Sequence, residues 1–195
     1  MSTKRLAEAE AQLAALGPTP SPLPLGPYAS IVEGGFTGMK KSDWVVGGMR
    51  ERVGAVLRGC TPERLVDGHA GARPYKVAPA SDAPGTRALH AVGLSLASGD
   101  PVLCFLGLAS AASGDFHEAL NAAALTGAKV IFLITVNTLH EDAPVGPQLA
   151  TSPARIAAAF DIPIIEIASD VKSVKRAVAK ARKAGQTTLI QVSLE

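Results

Sequence analysis

The chain has 195 residues, 47% hydrophobic and 18% charged, so it is long enough to bury one sizeable core and too apolar to be disordered. Its 19 Lys and Arg against 17 Asp and Glu leave a net charge of +2, with aromatics at 4%. That balance excludes an electrostatic footprint for nucleic acid, and the aromatic content provides no stacking platform for single strands.

In chain order, Ser2 and Thr3 precede an alanine-rich stretch that predicts a helix over 4–16, stopped by Gly17-Pro18. Glu8 and Glu10 interrupt its apolar pattern, so it is neither a signal nor a transit peptide. Leu6, Leu13 and Leu16 form a narrow stripe, suited to docking on the same domain or to a short oligomerisation helix. Five prolines between Pro18 and Pro27 then forbid helix and sheet interior and leave an extended tether. Residues 1–28 are expected as an arm outside the core, and residues 29–195 as the folded domain. Further on, a helix is expected over 49–57, and Thr61 caps another that opens at Pro62.

After Pro84 the pattern becomes regular. Helices are predicted over 86–97, 115–125, 153–160 and 171–184, the last capped by Asp170 and ended by Gly185. Strands are predicted over 102–106, 129–136, 162–168 and 187–194. These strands are near-continuous apolar runs alternating with helices. The expected fold is α/β, a mostly parallel sheet with helices on both faces. The longest apolar runs are strand-length, well short of the ~20 residues that cross a membrane, so no membrane contact is expected and a cytoplasmic location is.

Cys60 and Cys104 match no metal spacing; Cys104 lies inside a buried strand pattern, and no disulfide is expected. His90 reads as a satisfied core histidine, while His69 and His140 fall in loops. The basic run Lys172, Lys175, Arg176, Lys180, Arg182 and Lys183 reads as the solvated face of the last helix.

The loop after the strand over 102–106 is Gly107-Leu108-Ala109-Ser110-Ala111-Ala112-Ser113-Gly114. A small-residue turn feeding a helix N-terminus suits a phosphate, and suits close helix–strand packing equally well. The stretch from Leu103 to Ile134, with Gly114-Asp115-Phe116-His117-Glu118-Ala119-Leu120-Asn121 and Ala123, is more specific. It resembles the alpha subunit of the thiamine-diphosphate-dependent 2-oxo acid dehydrogenases of the pyruvate and branched-chain complexes. Arg50-Glu51-Arg52, Leu57-Arg58-Gly59, Ile156-Ala157, Phe160-Asp161-Ile162-Pro163 and Thr188-Leu189-Ile190 extend the likeness over roughly residues 40–195. The resemblance implies a thiamine-diphosphate-binding fold.

In that family, magnesium diphosphate is bound by Gly-Asp-Gly after one strand and Asn-Asn after the next. These fall, without a gap, on Gly107-Leu108-Ala109 and Val136-Asn137. Gly107 and Asn137 are kept, and the resemblance puts a third metal ligand, a backbone carbonyl, at Leu139. The metal carboxylate has become Leu108 and the second glycine Ala109. Magnesium needs oxygen ligands, and leucine supplies none. Around Ala70 to Ser81, where the family carries active-site histidines, Arg73, Tyr75 and Lys76 stand instead.

The expectation is therefore a catalytically silent relative of the alpha subunit, a structural or partner-binding subunit that holds no cofactor. Two alternatives stay open. One is a working alpha subunit with an altered metal site for thiamine diphosphate and magnesium; the other is a crevice reused for another nucleotide or an acyl-carrier group. The expected partner is a second copy or a beta-type 2-oxo acid dehydrogenase subunit, met through His117, Glu118, Ala119 and Ala123.

Overall fold

Alternation of side chains decides how the sheet is covered. In the computed structural model, which describes residues 2–16, 24–66, 72–78, 83, 85–137, 139–140, 143–144 and 149–194, five strands lie parallel in one sheet. They are β1 (Trp44–Val46), β2 (Val102–Gly107), β3 (Val130–Asn137), β6 (Ile164–Ala168) and β7 (Thr188–Leu194), in the order β1-β2-β3-β7-β6. Two short strands, β4 (Leu139–His140) and β5 (Ala143–Pro144), pair antiparallel outside it. Most of the proline tract, His69 and the ends of the 70–81 stretch lie outside the described residues.

Successive residues of β2 and β3 point to opposite faces, and both faces are apolar. Leu103, Phe105, Ile131 and Leu133 enter one core together with Ile190 and Val192 of β7. That core is closed by α1 (Ser2–Ala15), α2 (Ala29–Gly38) and α8 (Val171–Ala184). Val102, Cys104, Leu106, Phe132 and Ile134 enter the other. There α4 (Thr86–Ser98), α6 (Gly114–Thr126) and α7 (Pro153–Ala158) cover them. Two short helices remain, α3 (Pro62–Val66) and α5 (Leu108–Ala111). The expected α/β architecture, a parallel sheet between two helical layers, is the one observed.

The helix ends follow from their capping residues. Ser113, Ser152 and Asp170 accept hydrogen bonds from the backbone N–H groups of Phe116, Arg155 and Ser173 at 3.3, 3.2 and 2.9 Å. Gly127 and Gly185 close α6 and α8 in the left-handed conformation, φ 66° in each. Burial pushes the thiol of Cys104 up to about 12, as suits a core residue.

Four expectations are corrected. The leading helix is not outside the core. Leu6, Ala9 and Leu13 share one face of α1 and are 0, 4 and 5% exposed, packed on α2, α3 and the 3-10 helix Glu51–Arg58. Arg5 Nη2 donates to the Val56 carbonyl at 3.0 Å, and Glu10 accepts from the Leu25 N–H at 2.6 Å. The helix expected over 49–57 is that tighter 3-10 helix. His90 is exposed on α4 rather than buried. Arg182, unlike most of its basic neighbours, turns inward: its Nε ion-pairs with Asp43 and its Nη2 bonds the same carboxylate at 3.1 Å.

Asp43 is 2% exposed, so removing its partner strands a buried carboxylate. Arg182→Ala is expected to cost about 3 kcal/mol, read from the denaturant midpoint. Leu6→Ala, in a fully buried position, should cost roughly 2–5 kcal/mol in the same experiment. An unchanged midpoint for Leu6→Ala would put α1 outside the cooperative unit.

Candidate functional site

Parallel sheets bind ligands outside the carboxyl ends of their strands, because the loops there spread apart. At that end of β2 and β3 an open cleft of about 300 Å³ is lined by Gly107, Leu108, Ala109, Ser110, Thr135 and Asn137. Its other wall comes from Tyr28, just before α2, from Ile31 of α2 and from Met49, Arg50 and Glu51 after β1, with Arg87 from the first turn of α4. Gly107, Leu108, Ala109 and Asn137, the four positions that the resemblance assigns to the cofactor motif, thus line one cavity. Gly107 ends β2 with extended backbone and leads into α5, whose first residue, Leu108, is half-buried, while Ala109 is exposed. Asn137 ends β3, paired in register with Leu194. Leu139 opens β4 opposite Pro144.

The donor set does not fit magnesium. Leu108 presents an isobutyl group where a hard cation needs oxygen, and no three His, Cys, Asp or Glu among the described residues are grouped to hold a metal. Glu51 is the one carboxylate among the described cleft residues. It is engaged already, accepting from the Gly48 N–H at 2.7 Å and lying 3.8 Å from Arg87 Nη1.

The cations of the cleft differ from those that hold the fold. Arg58, in the segment that carried part of the resemblance, is structural: its Nη atoms donate to the carbonyls of Asp43, Tyr75, Lys76 and Lys40 at 2.8–3.2 Å. Burial pushes its guanidinium down to about 10, with nearby Asp43 opposing. Tyr75 and Lys76 therefore serve Arg58 through their backbones, and Lys76 also sets its ammonium 4.6 Å from the ring centre of Trp44. Arg50, at the cleft, stacks on Tyr28 at 4.3 Å and donates to the Pro24 carbonyl at 3.2 Å.

Sequence reasoning missed Arg87. The available signal was a cation in the first turn of a helix, where the macrodipole disfavours it, so a local partner or ligand is needed.

The residues expected at an interface divide. Glu118 is exposed, and His117 is half-buried with Nδ1 3.0 Å from the Ser113 carbonyl. Ala119 and Ala123, 0 and 1% exposed, face the core of their own domain with Phe116 and Leu120. Their small size lets α6 approach α4 and the sheet, so the interface expectation fails for these two.

The family model described as dehydrogenase E1 component matches residues 34–192. A curated relative, the 3-methyl-2-oxobutanoate dehydrogenase subunit alpha of Mycobacterium tuberculosis, is 31% identical over 176 residues, covering 78% of this chain and 47% of the relative. The chain thus spans about half the length of the curated relatives it matches. Among solved structures, transketolase from Campylobacter jejuni superposes with a TM-score of 0.68 at 17% identity, covering 98% of this chain and 36% of that one. A thiamin diphosphate-dependent enzyme assigned from Mycobacterium smegmatis gives 0.59 at 20% identity, covering 85% and 31%. At these identities the structural likeness concerns the fold.

Burial of Ala123 sets an expectation for the obvious interface probe. Ala123→Arg would place an unpaired charge in the core and should abolish cooperative unfolding in circular dichroism. A folded protein of reduced mass in light scattering would instead return Ala123 to an interface.

Proposed function

Because the chain belongs to the dehydrogenase E1 component family, we propose that it is a catalytically silent relative of a 2-oxo acid dehydrogenase alpha subunit, acting as a structural or partner-binding subunit. The observation that carries this reading is Leu108. It stands at the carboxyl end of β2, on the wall of the cleft, where the resemblance puts the family's metal carboxylate. A diphosphate there would keep most of its charge uncompensated against an apolar side chain, at high cost in a partly desolvated wall.

The family's fold is present over residues 34–192. Its sheet and both helical layers are complete enough to bury two continuous cores. The partner is a beta-type 2-oxo acid dehydrogenase subunit or a second copy of the chain. Ala119 and Ala123 are excluded from that contact by their own burial, which leaves the exposed side of α6 around Glu118.

Thermal unfolding with thiamine diphosphate and magnesium tests the reading directly. A ligand at a hundred times its dissociation constant would stabilise a binding-competent chain by about 2.7 kcal/mol. The expected result is no magnesium-dependent shift, alone or with a beta-type subunit, together with co-elution of the two chains on gel filtration. A rise in Tm that chelator abolishes would overturn catalytic silence and favour the alternative of a working alpha subunit with an altered metal site.

A further inference from the structure

The cleft has leucine where the resemblance puts a metal carboxylate, and it carries cations. Among its described lining residues the charged side chains are Arg50, Glu51 and Arg87, two cations and one carboxylate, which leaves a single positive charge. A diphosphate brings several negative charges and needs a divalent cation to enter such a site. One carboxylate matches the surplus.

Arg87 is the group that asks for it. The helix dipole disfavours a cation in the first turn of α4, yet its side chain is only 12% exposed. Glu51 is a loose partner, 3.8 Å from Nη1, because the same oxygen is bound at 2.7 Å by the Gly48 N–H. The Phe105 carbonyl lies 3.5 Å from Nη1, at the limit of a hydrogen bond. Nε is buried with no hydrogen-bond partner among the described residues, as is that of Arg58, but Arg87 lacks the four carbonyl bonds that the Nη groups of Arg58 make. The pair sits against bare backbone: a Cβ on Gly48 would stand 2.7 Å from Arg87 Nη1 and 2.9 Å from Glu51 Oε2. Arg50 brings the second cation, its guanidinium oriented by the Tyr28 ring. Ile31, Val32, Met49, Phe105 and Leu108 give the wall an apolar part, beside the polar Ser110, Thr135 and Asn137. A volume of about 300 Å³ is that of a small-molecule site at the lower end of the range.

We propose that this cleft binds a small monocarboxylate with an aliphatic body, without metal, its carboxylate on Arg50 and Arg87 and its body against Met49, Phe105 and Leu108. The leucine that removes the metal thereby becomes part of the ligand's apolar wall. This goes beyond catalytic silence and does not require it, since the carboxylate is bound with no cofactor present. Arginine suits the role because its planar fork meets both oxygens of a carboxylate and stays charged when desolvated.

The test is calorimetric titration of the full chain, in chelator, with isocaproate as probe and isohexanol and inorganic phosphate as comparison ligands. Saturable binding of isocaproate alone is expected. Arg87→Gln should weaken it by about tenfold or more, the loss of a charge-assisted hydrogen bond. Arg50→Gln, at a position less involved in packing, should weaken it in the same direction if Arg87→Gln does not fold. Absence of saturable binding overturns the proposal. So does isohexanol binding equally well, which would mark a merely apolar pocket, or phosphate binding equally well, which would mark an unselective anion site. Retained affinity in the folded Arg variants also overturns it.

Discussion

The structure depends on how closely α2 approaches α8 and β2. Gly34 and Gly38 lie one helical turn apart on α2 and face Val174 and Val178, which are spaced the same way on α8. A Cβ on Gly34 would stand 2.6 Å from the Val174 Cβ, and one on Gly38 would stand 2.8 Å from the Val178 Cβ. On the neighbouring side, a Cβ on Gly35 would reach within 2.5 Å of the Phe105 ring. No real side chain tolerates such contacts, so α2 fits between the last helix and the sheet only as bare backbone. This placement carries Tyr28, Ile31 and Val32 to the cleft and sets Phe36 on Phe105, with ring centres 6.0 Å apart. The wall of the candidate site is thus a by-product of a packing seam.

A second constraint is electrostatic. Asp43, just before β1, holds Arg182 of α8 through its carboxylate and Arg58 through its carbonyl. One buried residue thereby ties β1 to the last helix and to the 3-10 segment behind the cleft. Burying these charges costs desolvation, offset because nearly every donor finds an acceptor. At the cleft the contrast lies in the Nη groups: those of Arg58 reach four carbonyls, whereas Arg87 has a distant carboxylate and a marginal carbonyl, and the Nε of each is buried with no partner among the described residues. Firmly bonded Nη groups mark Arg58 as scaffold, and loosely held ones mark Arg87 as part of the cleft. The arginine-bearing segment contains both kinds of position, with Arg58 in the scaffold and Arg50 on the cleft wall.

The sequence by itself determined the parallel sheet of α/β class, because β2 and β3 are apolar on both faces and a sheet covered by helices on both sides buries both. It determined the ends of α6 and α8 and the start of α7, since caps and terminal glycines act within a turn. It located the cleft positions Gly107, Leu108, Ala109 and Asn137, because strand ends in a parallel sheet gather on one side. Only the tertiary structure decided the rest. The helix of glycines, α2, has poor propensity and no periodic signal, and exists because close packing compensates for it. Alanines on α6 read equally well as an interface or a core, and the neighbouring α4 made them core. The arm's helix joined the core because Leu6, Ala9 and Leu13 found apolar partners distant in the chain. Arg87 meets Glu51, and Arg182 meets Asp43, across 36 and 139 positions of sequence, separations at which local pattern has no say in which charges come together.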